Sequence, residues 1–81
     1  MSKYQDLLGC VDVLMYGEND LYTILPGWED LPRPNVKLVT DQAAMLECDT
    51  IPETWIPLSL LRCDTEGNLH LVNWKYEELA Q

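Results

Sequence analysis

The sequence predicts an α+β fold: an N-terminal helix, a small antiparallel sheet of about four strands, and a short C-terminal helix. Three observations lead there. Tyr4, Leu7, Leu8, Val11, Leu14 and Met15 recur at three- and four-residue spacing, which is one apolar face of a helix. Short apolar stretches separated by turn residues then fill the span from Val36 to Val72. Finally, Asn73 precedes Trp74–Ala80, a run that reads as a capped short helix.

The first helix is expected over residues 3–15. Ser2 and Gln5 stand in capping-box positions, and Gly17 suits a C-cap. Two features oppose an unbroken helix. Gly9 lies inside it and costs about 1 kcal/mol relative to Ala, and Val11-Asp12-Val13 alternates as a strand does. After the polar turn Glu18-Asn19-Asp20, the segment Leu21–Leu25 fits either a short helix capped by Asn19 or Asp20 or a strand of β-branched and aromatic residues. Residues 26–35 hold three prolines and Gly27, which forbids regular structure. Trp28 and Leu31 are apolar enough to pin this loop to the body.

Val36–Val39 reads as a strand, followed by a turn at Thr40-Asp41-Gln42. In the next strand Ala44, Leu46 and Cys48 share one face, and Ala43, Met45 and Glu47 share the other. Thr54-Trp55-Ile56 follows, and Pro57 marks a strand end or an edge. Leu58-Ser59-Leu60 turns the chain into a hairpin, Leu61–Cys63 with Asn68–Val72, whose turn needs Gly67. Trp55 and Trp74 are both expected to pack inside. No internal repeat or low-complexity segment divides the chain, so residues 1–81 are expected to form one domain.

Charge is the strongest compositional feature. Fourteen Asp and Glu face five Lys and Arg, a formal net charge of -9 over 81 residues. Residues 1–35 hold six acids and two bases, and residues 36–81 hold eight and three, so the acids form no tail. A body this size is surrounded by negative potential. Direct nucleic-acid binding is disfavoured, because that affinity comes from Lys and Arg on phosphates. Binding to a basic protein is favoured. Duplex DNA carries one charge per about 1.7 Å of axis, so a row of carboxylates would compete with nucleic acid for a basic groove. The general alternative is that the charge only keeps the protein soluble.

No apolar run approaches the roughly 18 residues that span a bilayer, so no membrane contact is expected. The polar N-terminus lacks a signal-peptide pattern. The expected location is the cytoplasm. Cys10, Cys48 and Cys63, an odd number without close spacing, suit reduced and mostly buried thiols.

Catalytic and metal chemistry find little support. Cys48, Cys63 and His70 are the sole metal-ligand set, and they form no CxxC or HxxxH spacing. A Cys63–His70 dyad across the hairpin lacks any sign of an oxyanion hole. Ser59 lacks nucleophile-elbow glycines, and no glycine loop cradles a phosphate. The chain also has little room for a deep pocket, which usually needs about 300 Å³ or more. No enzyme activity, metal or other cofactor is expected. Trp28, beside Glu29 and Asp30, is instead a candidate anchor for a partner, since aromatics dominate interface hot spots. Acids on turns extend the candidate set: Asp20, Asp49, Glu53, Asp64 and Glu66.

Small proteins encoded by phages and other mobile elements carry an Ala-rich strand, then Trp-Ile-Pro-x-Ser, a glycine turn, a short strand and a Trp-led final helix. Ala43-Ala44-Met45-Leu46, Trp55-Ile56-Pro57-Leu58-Ser59, Gly67-Asn68-Leu69 and Trp74 follow that order. The second half of the chain therefore resembles this family. Leu58 departs from it, standing where such proteins have Lys before the Ser. The resemblance implies a phage or mobile-element origin. Acidic phage miniproteins act as inhibitors of host enzymes or defence complexes. The implied partner is a basic host protein that handles nucleic acid, bound in an anti-CRISPR or anti-restriction manner as a DNA mimic. A homo-oligomeric assembly protein, a homodimer for example, is the second expectation, using the edge at Pro57 or the Tyr4–Met15 face.

Overall fold

The computed structural model describes residues 3–80. These residues form an α+β fold with two helices and two sheets rather than one sheet of about four strands. The elements are α1 (Lys3–Leu8), β1 (Asp12–Val13), β2 (Tyr22–Ile24), β3 (Asn35–Val39), β4 (Ala43–Cys48), β5 (Ile51–Pro57), a 3-10 turn (Leu58–Leu60), β6 (Leu61–Cys63), β7 (Leu69–Val72) and α2 (Asn73–Leu79).

One sheet has the order β3-β4-β5 and is antiparallel throughout. The other has the order β1-β6-β7-β2. There β6–β7 and β7–β2 are antiparallel, and β1–β6 is parallel. The 3-10 turn divides the two. Pro57 has no N–H to continue the ladder, and Leu58–Leu60 redirects the chain so that β6 pairs with β7 and β1, not with β5.

The expected helix over 3–15 stops at Leu8. The Gly9 N–H still reaches the Gln5 carbonyl at 3.2 Å, and Cys10 closes the turn onto Leu7. Beyond them, Asp12 and Val13 pair with Arg62 and Cys63. The strand-like alternation after Gly9 therefore prevails over the helical spacing. Gly17 caps no helix; it turns the chain with φ +93°. Ser2 lies outside the described residues. Leu21–Leu25 resolves as a strand, since Tyr22, Thr23 and Ile24 pair with Val72, Leu71 and His70.

The core is one apolar cluster fed by both sheets and by α1. Leu7, Ala44, Leu46, Ile56, Leu61, Leu69 and Leu71 are completely enclosed. β4 alternates as its sequence predicts, with Ala44, Leu46 and Cys48 inward. Tyr4 fastens α1 to the β6–β7 turn by donating its hydroxyl to the Gly67 carbonyl. Burial raises the Tyr4 phenol pKa against the lowering effect of Arg33. Gly67 adopts φ +84°, the left-handed region that a side chain resists.

Asn73 does not cap α2. Its side chain donates to the Asp20 carbonyl at 2.6 Å and accepts from the Thr23 hydroxyl at 2.6 Å. It thereby ties the start of α2 to the turn before β2. The Tyr76 hydroxyl donates to Thr50 Oγ1 at 2.9 Å, linking α2 to the β4–β5 turn. Among the described residues, no helix is long and apolar enough to cross a membrane.

Candidate functional site

The charged groups of the described residues are exposed or partly exposed. Among the described residues, no polar or charged residue is buried, as the cost of moving an unpaired carboxylate out of water requires. Ion pairs among those residues engage four carboxylates: Glu47 and Glu53 with Lys37, Glu78 with Lys75, and Asp64 with His70. Negative charge is thus in excess at the surface.

The candidate acids fall on separate elements. Asp20 is exposed in the turn before β2, where its carbonyl holds Asn73. Glu29 and Asp30 are exposed in the loop between β2 and β3, while Trp28 beside them is half-buried. Gly27 permits the tight path of this loop. A Cβ there would collide with the Leu31 carbonyl and the Arg33 N–H. Asp49 is exposed in the β4–β5 turn, and Glu66 is exposed in the β6–β7 turn. Arg33 ties the loop to that second turn, donating to the Glu66 carbonyl at 3.4 Å and lying 5.4 Å over the Tyr4 ring.

Asp64 is engaged within its own hairpin. Oδ1 accepts the backbone N–H groups of Glu66 and Asn68, each at 2.9 Å. Oδ2 accepts the Asn68 amide at 3.2 Å and His70 Nε2 at 2.9 Å. Burial pushes this carboxyl up, but the bonds from His70, Asn68 and the Glu66 backbone outweigh it and hold its pKa at about 2. Asp64 organises the turn that carries Glu66.

Glu53 projects from the outer face of the three-stranded sheet. Lys37 bridges it at 2.7 Å and Glu47 at 3.4 Å. Hydrogen bonds from Glu53 and then Glu47 hold the Lys37 ammonium pKa above its ordinary value. Beside this charged row lies an apolar one. Leu38 pairs with Met45, and Met45 pairs with Trp55. Leu38 is 47% exposed and Trp55 44%.

Two expectations about tryptophan are corrected. Trp55 faces solvent because it shares strand parity with Glu53 and Pro57, while Ile56 takes the inward position. Trp74 is 59% exposed at the start of α2, where Tyr76 and Leu79 supply the packing contacts. The signal for Trp55 was present in the alternation; bulk alone pointed the wrong way.

Cys63 and His70 do not form a dyad. Cys63 pairs with Leu69 and faces the core, where burial raises its thiol pKa, whereas His70 pairs with Arg62 on the other face. Cys48 is also buried and Cys10 is exposed, so the thiols are mostly buried, as expected. Among the described residues, no group of three or more His, Cys, Asp or Glu stands close enough to share a metal ion. An open surface cleft of about 460 Å³ has a lining that includes Lys3, Tyr4, Leu31 and Arg33.

The expected oligomer contact from Tyr4 to Met15 is largely spent internally: Tyr4, Leu7 and Val11 are buried and Leu8 and Leu14 half-buried, leaving Met15 outside. Comparison with known proteins supplies no relative for this chain: no family model, curated protein or solved structure matches it.

Proposed function

We propose that this chain is a small acidic inhibitor of phage type that binds the basic surface of a host protein handling nucleic acid. The carrying observation is a net charge of -9 with no charged group buried among the described residues. Carboxylates in that state are accessible to a cationic partner, whose charge offsets the water they lose on contact. Complementary fields of this kind speed encounter and exclude like-charged partners. The Trp-Ile-Pro-x-Ser resemblance supports a mobile-element origin, and with it an anti-CRISPR or anti-restriction role in the host cytoplasm. Asp20, Glu29, Asp30, Asp49, Glu53 and Glu66 supply the charge, and Trp28 supplies a partly accessible anchor.

The test is capture of host proteins on the immobilised chain, followed by elution with rising salt and then with duplex DNA. The expected result is a basic nucleic-acid-handling protein that both treatments release. A retained protein indifferent to salt and to DNA contradicts the reading.

Assembly into a homo-oligomer is a second reading, favoured by the exposed Leu38 and Trp55. Light scattering separates the two, since a stable oligomer in isolation favours assembly.

A further inference from the structure

We infer that the outer face of the three-stranded sheet is the docking face for that cationic protein, and that an arginine of the partner lies over Trp55 and against Glu53. The inference rests on the proposed function and names the surface that would carry it.

Three strands supply the face in register. Leu38, Met45 and Trp55 form a cross-strand apolar row, and Lys37, Glu47 and Glu53 form the charged row beside it. Glu53 and Trp55 stand two residues apart on β5, so their side chains project on the same side. On the side of the apolar row away from the charged one, the β3–β4 turn carries exposed Asp41. An apolar centre rimmed by carboxylates is thereby presented on a rigid element, and the buried centre of an interface with a polar rim has this composition.

Charge selects the occupant. Lys37 offsets one of its two carboxylate neighbours, leaving that row net negative. A second copy would bring another net charge of -9 to the face and set carboxylates against carboxylates. Anionic lipid and nucleic acid meet the same repulsion. A cationic polypeptide face meets none. Arginine fits this place better than lysine, because its planar guanidinium stacks on an indole while bonding a carboxylate at its edge. Strand addition at the β5 edge is disfavoured, since Pro52 and Pro57 remove donors from that strand. The face, not the edge, is left for recognition.

The test uses calorimetric titration of the full chain with two synthetic peptides, alternating Arg-Ala and alternating Lys-Ala. Hydrogen exchange of the free and bound chain runs alongside. The Arg peptide should bind about tenfold tighter than the Lys peptide, and protection should centre on β4 and β5. Trp55→Ala should weaken the Arg peptide by about tenfold or more, Leu38→Ser should weaken it less, and Trp74→Ala should leave it unchanged. Equal binding by Trp55→Ala and the unmodified chain, or protection confined to the loop holding Glu29 and Asp30, overturns this face while the broader charge reading survives. Equal affinity for the two peptides overturns the arginine contact. A chain that sediments as a dimer, and as a monomer after Leu38→Ser, assigns the face to self-association and overturns it. Failure of both peptides to bind the unmodified chain sinks the proposed function, and this inference with it.

Discussion

His70 Nε2 lies 2.9 Å from Asp64 Oδ2, across the turn that joins β6 to β7. With the Asn68 and Glu66 donors on the same carboxylate, this contact fixes the hairpin whose far end carries Glu66. It also sets a pH dependence. The Asp64 carboxyl is held at about 2, below its ordinary 3.8. Its folded-state value is depressed, so its stabilisation is fully present above the unfolded value. It is lost as pH falls from about 4 towards 2. The contribution is roughly 1–2 kcal/mol. Asp64→Ala should lose about that much stability to denaturant at pH 7, and its stability should fall less than that of the unmodified chain between pH 4 and pH 2. Parallel pH profiles for the two would show that Asp64 does not stabilise the turn.

The Tyr4–Gly67 contact closes the chain between α1 and the same hairpin. Tyr4→Phe keeps the ring in place and leaves the Gly67 carbonyl without this donor, so it should cost about 1 kcal/mol. Gly67→Ala meets nothing closer than ordinary contact at 3.8 Å. Its cost is conformational, about 1 kcal/mol for a left-handed backbone. Chemical denaturation measures both; a neutral Gly67→Ala would mean that the turn adopts another conformation.

Gly27→Ala should act differently, through collision with the Leu31 and Arg33 backbone. The loop must move, and with it Trp28, Glu29 and Asp30. A loss of about 2 kcal/mol or more in stability is expected, with a changed Trp fluorescence spectrum. An unchanged spectrum and stability would contradict the tight path of this loop.

Trp55 and Leu46 test the two sides of the three-stranded sheet. Leu46 is completely enclosed and Trp55 is 44% exposed. Leu46→Ala should cost about 2–5 kcal/mol. Trp55→Ala should cost less than Leu46→Ala, despite removing a larger side chain. Equilibrium unfolding of both variants gives the comparison, and the reverse order would place Trp55 in the core.

How far the sequence carried can be judged at particular residues. The inward row Ala44, Leu46 and Cys48 was legible because the side-chain period of a strand is local. The hairpin closed by Gly67 was legible for the same reason. The helix beyond Leu8 was misread: Val11 fits a helical face equally well, and its neighbour Val13 is held by Cys63, a partner far along the chain. Nothing near Val13 announces a parallel pairing. The division into two sheets hangs on the 3-10 turn at Leu58–Leu60, where a turn was expected without its direction. Of the candidate site, the exposure of Asp20, Asp49 and Glu66 on turns was legible from residue type, whereas Glu53, expected in a turn, lies within β5 because the strand begins already at Ile51. Asp64 looked the same as Glu66 in sequence and differs through bonds that only the folded hairpin creates. The Leu38–Met45–Trp55 row was missed because it requires the register of three strands, although the shared parity of Glu53, Trp55 and Pro57 already placed the indole outside.

We propose that the surplus of outward carboxylates meets a cationic protein that nucleic acid would otherwise occupy. The most direct measurement is the dissociation constant for the captured host protein across rising salt, with duplex DNA as competitor. Screening at about 0.1 M salt already acts beyond roughly 10 Å. Affinity should fall steeply with salt, and the partner should bind the chain or DNA but not both. A salt-independent constant, or a ternary complex in which the partner holds both, would contradict it.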